Sequence, residues 1–411
     1  MTDTQIMALP DPVDNADAKS ERERSEWIAA YLSIANESLL GTDVTGWDAY
    51  LRRVEPNNVR LALADDQVVG GMAFYRCGQF FGGRSVPMAG FSGVAIAGSH
   101  RGTGVCRKLL EQTLRELRQE GIPLACLYAS TQRLYRSVGF EQAGSRWEYE
   151  LPLRCLPEPD RSLPCHRHAT PDLHVLERLE NTRGEFANGC LHRSQGLWER
   201  LLHPHSEQPG VAYLLGEPEQ PEGYVILYQG NSTGRVPAVL RCGDWVATTP
   251  AALRRLMALT WDHRSMHDRF RWPGGTDDPL LLFASEAWAD VVDMERWLLR
   301  LVDVPAALSA RGYQQDVDEQ IQLHVQDPLF PQNSGPWHLS VTGGRAVVKQ
   351  ATHSDSGLHL QMSVQALAPL YSGLFSAREL SYLGWLSGTA NAVATADRLF
   401  AGPRPWMAEC F

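Results

Sequence analysis

The sequence predicts a mixed α/β protein that closes with a smaller α+β domain. Three observations carry this. Residues 94–140 read as an apolar strand, a Gly-rich turn, an amphipathic helix, a second apolar strand and a short helix, the order of a mixed sheet covered by helices. Residues 173–302 alternate strands and helices a second time. Beyond Asp303, alternation at Ile321, Leu323 and Val325, at Leu339 and Val341, and at Leu358, Leu360 and Met362 gives half-buried strands followed by helical stretches.

Taken in order, residues 1–26 are polar and charged and are expected to form a disordered arm ahead of a helix that starts near Trp27. Trp47, in the turn Gly46-Trp47-Asp48, is either a pocket wall or a core aromatic. Val94, Ala95 and Ile96 end a strand, and Gly98-Ser99-His100-Arg101-Gly102-Thr103-Gly104 turns the chain. Val105, Leu109, Leu110, Leu114 and Leu117 then recur at helical spacing among charged residues until Gly121 stops the helix. Ile122 to Ala129 reads as a buried strand and Ser130 to Gly139 as a short helix with a Gly cap. Leu153 to Asp172, with Pro157, Pro159, Pro164 and Pro171, reads as a linker. Strands follow at Val211 to Leu215, Gly223 to Tyr228 and Ala238 to Arg241, with helices at Pro250 to Asp262, behind a Thr249-Pro250 start, and at Glu286 to Leu299. The last region adds helices at Val364 to Tyr371, Ala377 to Leu383 and Thr389 to Phe400. The expected division is an arm (1–26), a first domain (27–155), a second (156–302) and a third (303–411).

Composition narrows the function. At 411 residues, 44% hydrophobic and 21% charged, the chain can build two or three cores. A formal net charge of −10, with no Lys/Arg-rich run, argues against nucleic acid as a partner and favours cationic substrates. No apolar run is long enough to span a membrane and the N-terminus is unlike a secretory signal, so a cytoplasmic location is expected. Eight cysteines without C-x-x-C pairs fit reduced thiols. Cys165-His166-Arg167-His168 and Cys190-Leu191-His192 lack zinc-site spacing, and no metal is expected.

The turn at 98–104 carries the chemistry. A strand delivering a Gly-rich loop onto a helix N-terminus aims backbone N–H groups and the positive end of a helix dipole at one spot, suited to a pyrophosphate. The P-loop and dinucleotide motifs do not fit, because no Lys-Ser/Thr and no third Gly follow. Arg101-x-x-Gly104-x-Cys106 resembles the coenzyme-A motif of the GNAT superfamily of N-acetyltransferases, with Cys106 in place of a smaller final residue. Tyr135-x-x-x-Gly139-Phe140, one helix and one strand later, resembles that superfamily's second hallmark. The second region, lacking glycines and arginine at Trp245-Val246-Ala247-Thr248-Thr249-Pro250, reads as a degenerate GNAT-like unit.

Two further stretches, Arg300-Leu301-Val302-Asp303-Val304-Pro305-Ala306-Ala307-Leu308 and the ending Pro405-Trp406-Met407-Ala408-Glu409-Cys410-Phe411, resemble the Eis (enhanced intracellular survival) acetyltransferases over nearly the whole chain. The resemblance implies two fused GNAT-like domains, the second degenerate, then a sterol-carrier-protein-like α+β domain, assembled as a homo-oligomer, often a hexamer. It implies acetyl-CoA as cosubstrate, lying along Val94, Ala95 and Ile96, with its phosphates on Gly102, Thr103, Gly104, Val105, Cys106 and Arg107 and further contacts at Ser130 and Thr131. It makes Tyr135 the general acid for the departing thiolate and the terminal carboxylate of Phe411 the general base, directly or through water, with Glu409 adding to the negative field. Acetyl transfer to an amine needs such a pair and a polarised carbonyl. From the residues alone, Tyr135 also fits plain packing on a short helix and Phe411 a disordered tail. The function implied is N-acetylation of a small amine, aminoglycoside-like or polyamine-like. A protein-lysine acetyltransferase and a non-catalytic lipid- or partner-binding protein are the alternatives.

Overall fold

Alternation along the first strands sorts side chains onto two faces of one sheet. In the computed structural model, which describes residues 4–10, 18–39, 46–204, 209–229, 238–286, 288–351 and 357–411, the first region forms β1 (Thr4–Ala8), α1 (Ala18–Ser38), α2 (Trp47–Val54), β2 (Val59–Ala64), β3 (Gln67–Phe81), β4 (Arg84–Ile96), α3 (Val105–Gln119), β5 (Leu124–Tyr128), α4 (Gln132–Arg136) and β6 (Glu141–Pro152). Leu61, Leu63, Ala73, Tyr75, Met88 and Cys126 face a core shared with α1 and the C-terminal domain. Their neighbours Ala62, Ala64, Met72, Phe74, Ala89 and Leu127 face a second core under α3 and α4.

The second region forms β7 (Cys165–His168), α5 (Leu173–Gly184), β8 (Leu191–His192), α6 (Gln195–Leu202), β9 (Val211–Glu217), β10 (Gln220–Gln229), β11 (Ala238–Ala247), α7 (Pro250–Asp262), β12 (His267–Gly274) and β13 (Asp290–Leu301). Both regions share one 13-stranded sheet in the order β1-β2-β3-β4-β5-β13-β6-β12-β11-β10-β9-β7, with β8 paired to β3. The two halves exchange strands: β13, from the second, completes the parallel pair β4–β5, and β6, from the first, completes the parallel pair β11–β12.

The third region forms α8 (Val304–Ala310), β14 (Glu319–Gln326), β15 (Gly335–Thr342), β16 (Arg345–Gln350), β17 (His359–Ser363), α9 (Val364–Ser372), α10 (Ala377–Tyr382), β18 (Leu386–Gly388) and α11 (Ala390–Phe400). Its sheet runs β16-β15-β14-β17-β18, and α9 packs on β6 and β13 of the large sheet. A buried ion pair, Arg300 to Asp327 at 2.7 Å, ties the two sheets together.

Three expectations are corrected. The stretch 286–299 is not a helix: residues 290–301 form β13, and residues 297–301 of it lie buried between β5 and β6. Burial on both faces gives an apolar run without alternation, which periodicity cannot tell from a helix. The arm contains structure: Thr4–Ala8 pairs antiparallel with β2 and the first helix begins at Ala18, while residues 1–3 and 11–17 lie outside the described residues. A short edge strand in a polar setting gives no sequence signal, and its hydrogen bonds to β2 decide the matter. The linker also contributes to the sheet, since Cys165–His168 pairs with β9 and Leu153, Cys155 and Leu156 are buried.

Candidate active site

The site begins where β4 and β5 part. They pair in parallel only at Met88–Leu124, Ala89–Ala125 and Gly90–Cys126, after which β4 runs on to Ile96 and β5 to Tyr128. The divergence follows from a register shift between β3 and β4, centred on Gly93, whose φ of 63° only glycine adopts without strain. The Tyr31 hydroxyl donates to the Gly93 carbonyl at 2.8 Å and fixes the bulge. Val94, Ala95 and Ile96 lie beyond the last β4–β5 pair, so among the described residues their edge facing β5 has no strand partner.

The Gly-rich turn stands at the end of β4. Arg101 pins it, donating to the Ile96 carbonyl at 3.2 Å and to Ser38 Oγ at 3.0 Å, and Thr103 Oγ1 donates to the His100 carbonyl at 2.7 Å. Gly104, at φ 90°, caps α3 with no side-chain hydrogen bond, so the first-turn N–H groups stay open. Among the described residues, chain neighbours aside, no atom lies within 4 Å of where a Cβ would stand at Gly102 or Gly104. This uncapped, accessible helix start fits a pyrophosphate. Val105, the first residue of α3, is buried in the core beneath that helix. Arg107 is exposed and pairs with Glu111 at 2.7 Å. Burial pushes the Cys106 thiol up to about 11, so it stays neutral. Ser130 and Thr131 are exposed just past β5, and Thr131 leads into α4.

Tyr135 is only 6% exposed and meets Phe140 edge to face, ring centroids 6.0 Å apart, within the core under α3 and α4. Burial first, and the neighbouring Cys106 second, raise its phenol above the ordinary value, so the hydroxyl keeps its proton at neutral pH.

The chain terminus arrives from the opposite face. The Asn188 side-chain amide donates to the Pro403 carbonyl at 3.1 Å, the Trp406 N–H to the Asn188 carbonyl at 2.9 Å, and Arg146 Nε to the Ala408 carbonyl at 2.9 Å. Met407 is fully buried. The ring of Phe411 then lies over Gly90, where an added Cβ would come within 2.7 Å of it, and between Tyr75 and Tyr128 at centroid distances of 6.3 and 6.5 Å. Thus Tyr135 belongs to the core on one face of the sheet and Phe411 packs against the core on the other. The tail is docked rather than disordered.

Glu409 corrects one expectation. It forms an ion pair with Arg193 Nε, so its charge is spent within the protein. Arg193 is completely buried, reaches Glu180 at 2.5 Å and Asp244 at 2.8 Å, and stacks over Trp198 at 4.7 Å. Burial disfavours its charge, but Asp244, Glu409 and Glu180 outweigh this and hold it protonated. Burial likewise opposes ionisation of Asp244, yet Arg183 and Arg193 pull it down to about 2. Trp47 proves to be a core aromatic, 7% exposed, with Nε1 donating to Asn36 Oδ1 at 2.8 Å. Gly90, Tyr75, Arg146, Asn188 and Arg193 carried no local motif; each meets the tail, which is remote in sequence.

The second half repeats the frame without the cradle. Thr249 caps α7, accepting from the Ala252 N–H at 3.1 Å, and Pro250 occupies the first turn, leaving fewer open N–H groups. Among the described residues no group of three or more His, Cys, Asp or Glu is arranged to hold a metal, and no helix is long and apolar enough to cross a membrane.

A splayed parallel pair feeding an uncapped helix, twinned with a degenerate copy and a C-terminal α+β domain, defines an acetyl-CoA-dependent acetyltransferase of the GNAT class. Models of acetyltransferase (GNAT) domains match residues 22–143 and 189–301, and a sterol carrier protein domain matches residues 304–408. An uncharacterised N-acetyltransferase of Streptomyces coelicolor is 30% identical over 361 residues, 80% of this chain and 82% of the relative. The N-acetyltransferase Eis of Mycobacterium tuberculosis is 28% identical over 334 residues, 76% of this chain and 75% of that protein. A crystal structure of a GCN5-related N-acetyltransferase from Anabaena variabilis superposes over the whole of both chains at TM-score 0.88 and 31% identity. The chain belongs to the Eis-like N-acetyltransferases.

Proposed function

We propose that the protein moves the acetyl group of acetyl-CoA directly to an amine of a small cationic molecule, aminoglycoside-like or polyamine-like, with Tyr135 as proton donor and the terminal carboxylate of Phe411 as proton acceptor. The observation that carries this reading is the docking of Phe411 over Gly90 at the β4–β5 mouth, opposite the face that holds Tyr135. Acetyl-CoA supplies the activated thioester. The unpaired edge of Val94, Ala95 and Ile96 hydrogen-bonds its pantetheine arm, residues 102–107 take the phosphates, and Ser130 and Thr131 contact it further along. Tyr135, a phenol that carries its proton at neutral pH, gives it to the departing sulfur. The terminal carboxylate attracts the cationic amine and takes its proton, directly or through water. Eight free cysteines suit a reducing cytoplasm, and a homo-oligomer, a hexamer by family likeness, is the expected assembly.

Thiol release from acetyl-CoA with aminoglycosides, polyamines and lysine peptides tests the reading. Turnover with a small multi-amine compound is expected. Turnover with peptides alone would make a protein the acceptor, and no turnover with any amine would contradict the assignment. Gly90→Val should lower kcat on the order of tenfold or more by displacing the Phe411 ring, with acetyl-CoA affinity retained. Steady-state kinetics on the variant checks this, and an unchanged kcat would detach Phe411 from the chemistry.

A further inference from the structure

The face of the sheet that holds Phe411 also carries a positive charge without a structural partner. Helix α6 packs on α2, so closely that a Cβ at Gly196 would meet the Arg53 carbonyl. Leu197 of α6 belongs to the core that contains Tyr75 and against which Tyr50 and Phe411 pack. Tyr50 meets Tyr75 edge to face at 6.4 Å between ring centroids, and Tyr75 stacks on Phe411 at 6.3 Å. Arg200 stands one turn beyond Leu197 on the same side of α6 and is half-buried. Burial raises the Tyr50 and Tyr75 phenols and the Cys410 thiol, and the Arg200 guanidinium is near enough to all three to oppose it.

The charges around the end of the chain select a ligand. Among the described residues the Arg200 guanidinium has no hydrogen bond and no ion pair. Its neighbours are committed: Glu199 to Arg53 at 3.4 Å, Glu409 to Arg193, and Arg146 to the Ala408 carbonyl at 2.9 Å and Glu148 at 3.3 Å. Glu295, half-buried, accepts from the Cys410 thiol. The last two residues thus have two negative groups at hand, Glu295 and the terminal carboxylate, and one positive group, Arg200. The matching ligand carries two ammonium groups and one anion. A guanidinium fits a carboxylate or a phosphate, but only a carboxylate leaves a two-amine molecule clearly cationic, as the net charge of −10 favours.

We propose that the acceptor is a diamino acid, a polyamine-like molecule whose carboxylate is held by Arg200 while one amine is directed at the Phe411 terminus. This rests on the acceptor site proposed above and names its substrate class. Isothermal titration of the full-length protein saturated with coenzyme A, which has no acetyl group to give, compares ornithine with putrescine and lysine with cadaverine, the same chains without the carboxylate. At least one diamino acid should bind about tenfold or more tighter than its diamine. Arg200→Gln should abolish that difference by weakening the diamino acid, and Arg200→Lys should keep part of it; the lysine variant decides if the glutamine variant does not fold. Equal or tighter binding of the diamines, a preference that survives in Arg200→Gln, or no binding of all four at roughly ten millimolar overturns the proposal. Preferential binding of the diamino acid without turnover of acetyl-CoA would remove the reaction proposed above and leave this binding assignment standing.

Discussion

Replacing Tyr135 with phenylalanine is expected to lower kcat for acetyl transfer about a hundredfold or more, the scale set by loss of one positioned proton donor. The ring packs against Phe140 and is held in the core under α3 and α4, contacts that phenylalanine keeps, so the fold and the acetyl-CoA cradle should survive. Only the hydroxyl goes. The phenol carries its proton at neutral pH, and in the proposed reaction that proton goes to the thiolate leaving the thioester. Steady-state thiol release should therefore show a reduced kcat with little change in the KM for acetyl-CoA. Unchanged turnover would assign the proton donor elsewhere.

Arg193→Met should produce the largest loss of stability. The guanidinium, with no exposure, answers Glu180, Asp244 and Glu409 together. Removing one partner of a buried ion pair costs about 3–5 kcal/mol, because the charges left behind can neither ionise comfortably nor reach water. Thermal or denaturant unfolding would register it. The same change frees Glu409 and with it the segment that carries Phe411, so the fraction that folds should lose kcat while binding acetyl-CoA normally. Glu409→Gln separates the two effects: Arg193 keeps Glu180 and Asp244, stability should fall by only about 1–3 kcal/mol, and turnover should still drop. A variant that unfolds easily yet turns over normally would show that Arg193 serves the core alone.

Much of this was legible in the sequence where the signal is local. The strand, Gly-rich turn and amphipathic helix around residues 94–119 are fixed by glycine stereochemistry and by a 3.6-residue period, and the structure places β4, the turn and α3 there. The start of α7 at Thr249-Pro250 follows from capping chemistry in the same way. What depends on partners distant in the chain was not legible. Residues 297–301 carry no mark of insertion into the sheet, because a stretch buried on both faces loses its alternation. Thr4–Ala8 is a strand only because β2 offers it an edge. Arg193 sits in a short segment between β8 and α6, and nothing near it announces that it holds a carboxylate from the far end of the chain. Resemblance brought the terminus to the site before geometry did; the hydrogen bonds from Asn188 and Arg146 supply the physical reason that it stays.

The proposed role of the Phe411 terminal carboxylate as proton acceptor is tested most directly by one comparison. Thiol release would be measured for the native protein and for a form extended by two glycines beyond Phe411, alongside acetyl-CoA binding by calorimetry. The account predicts equal acetyl-CoA affinity and a kcat reduced about a hundredfold or more in the extended form. Full turnover by the extended protein would contradict it.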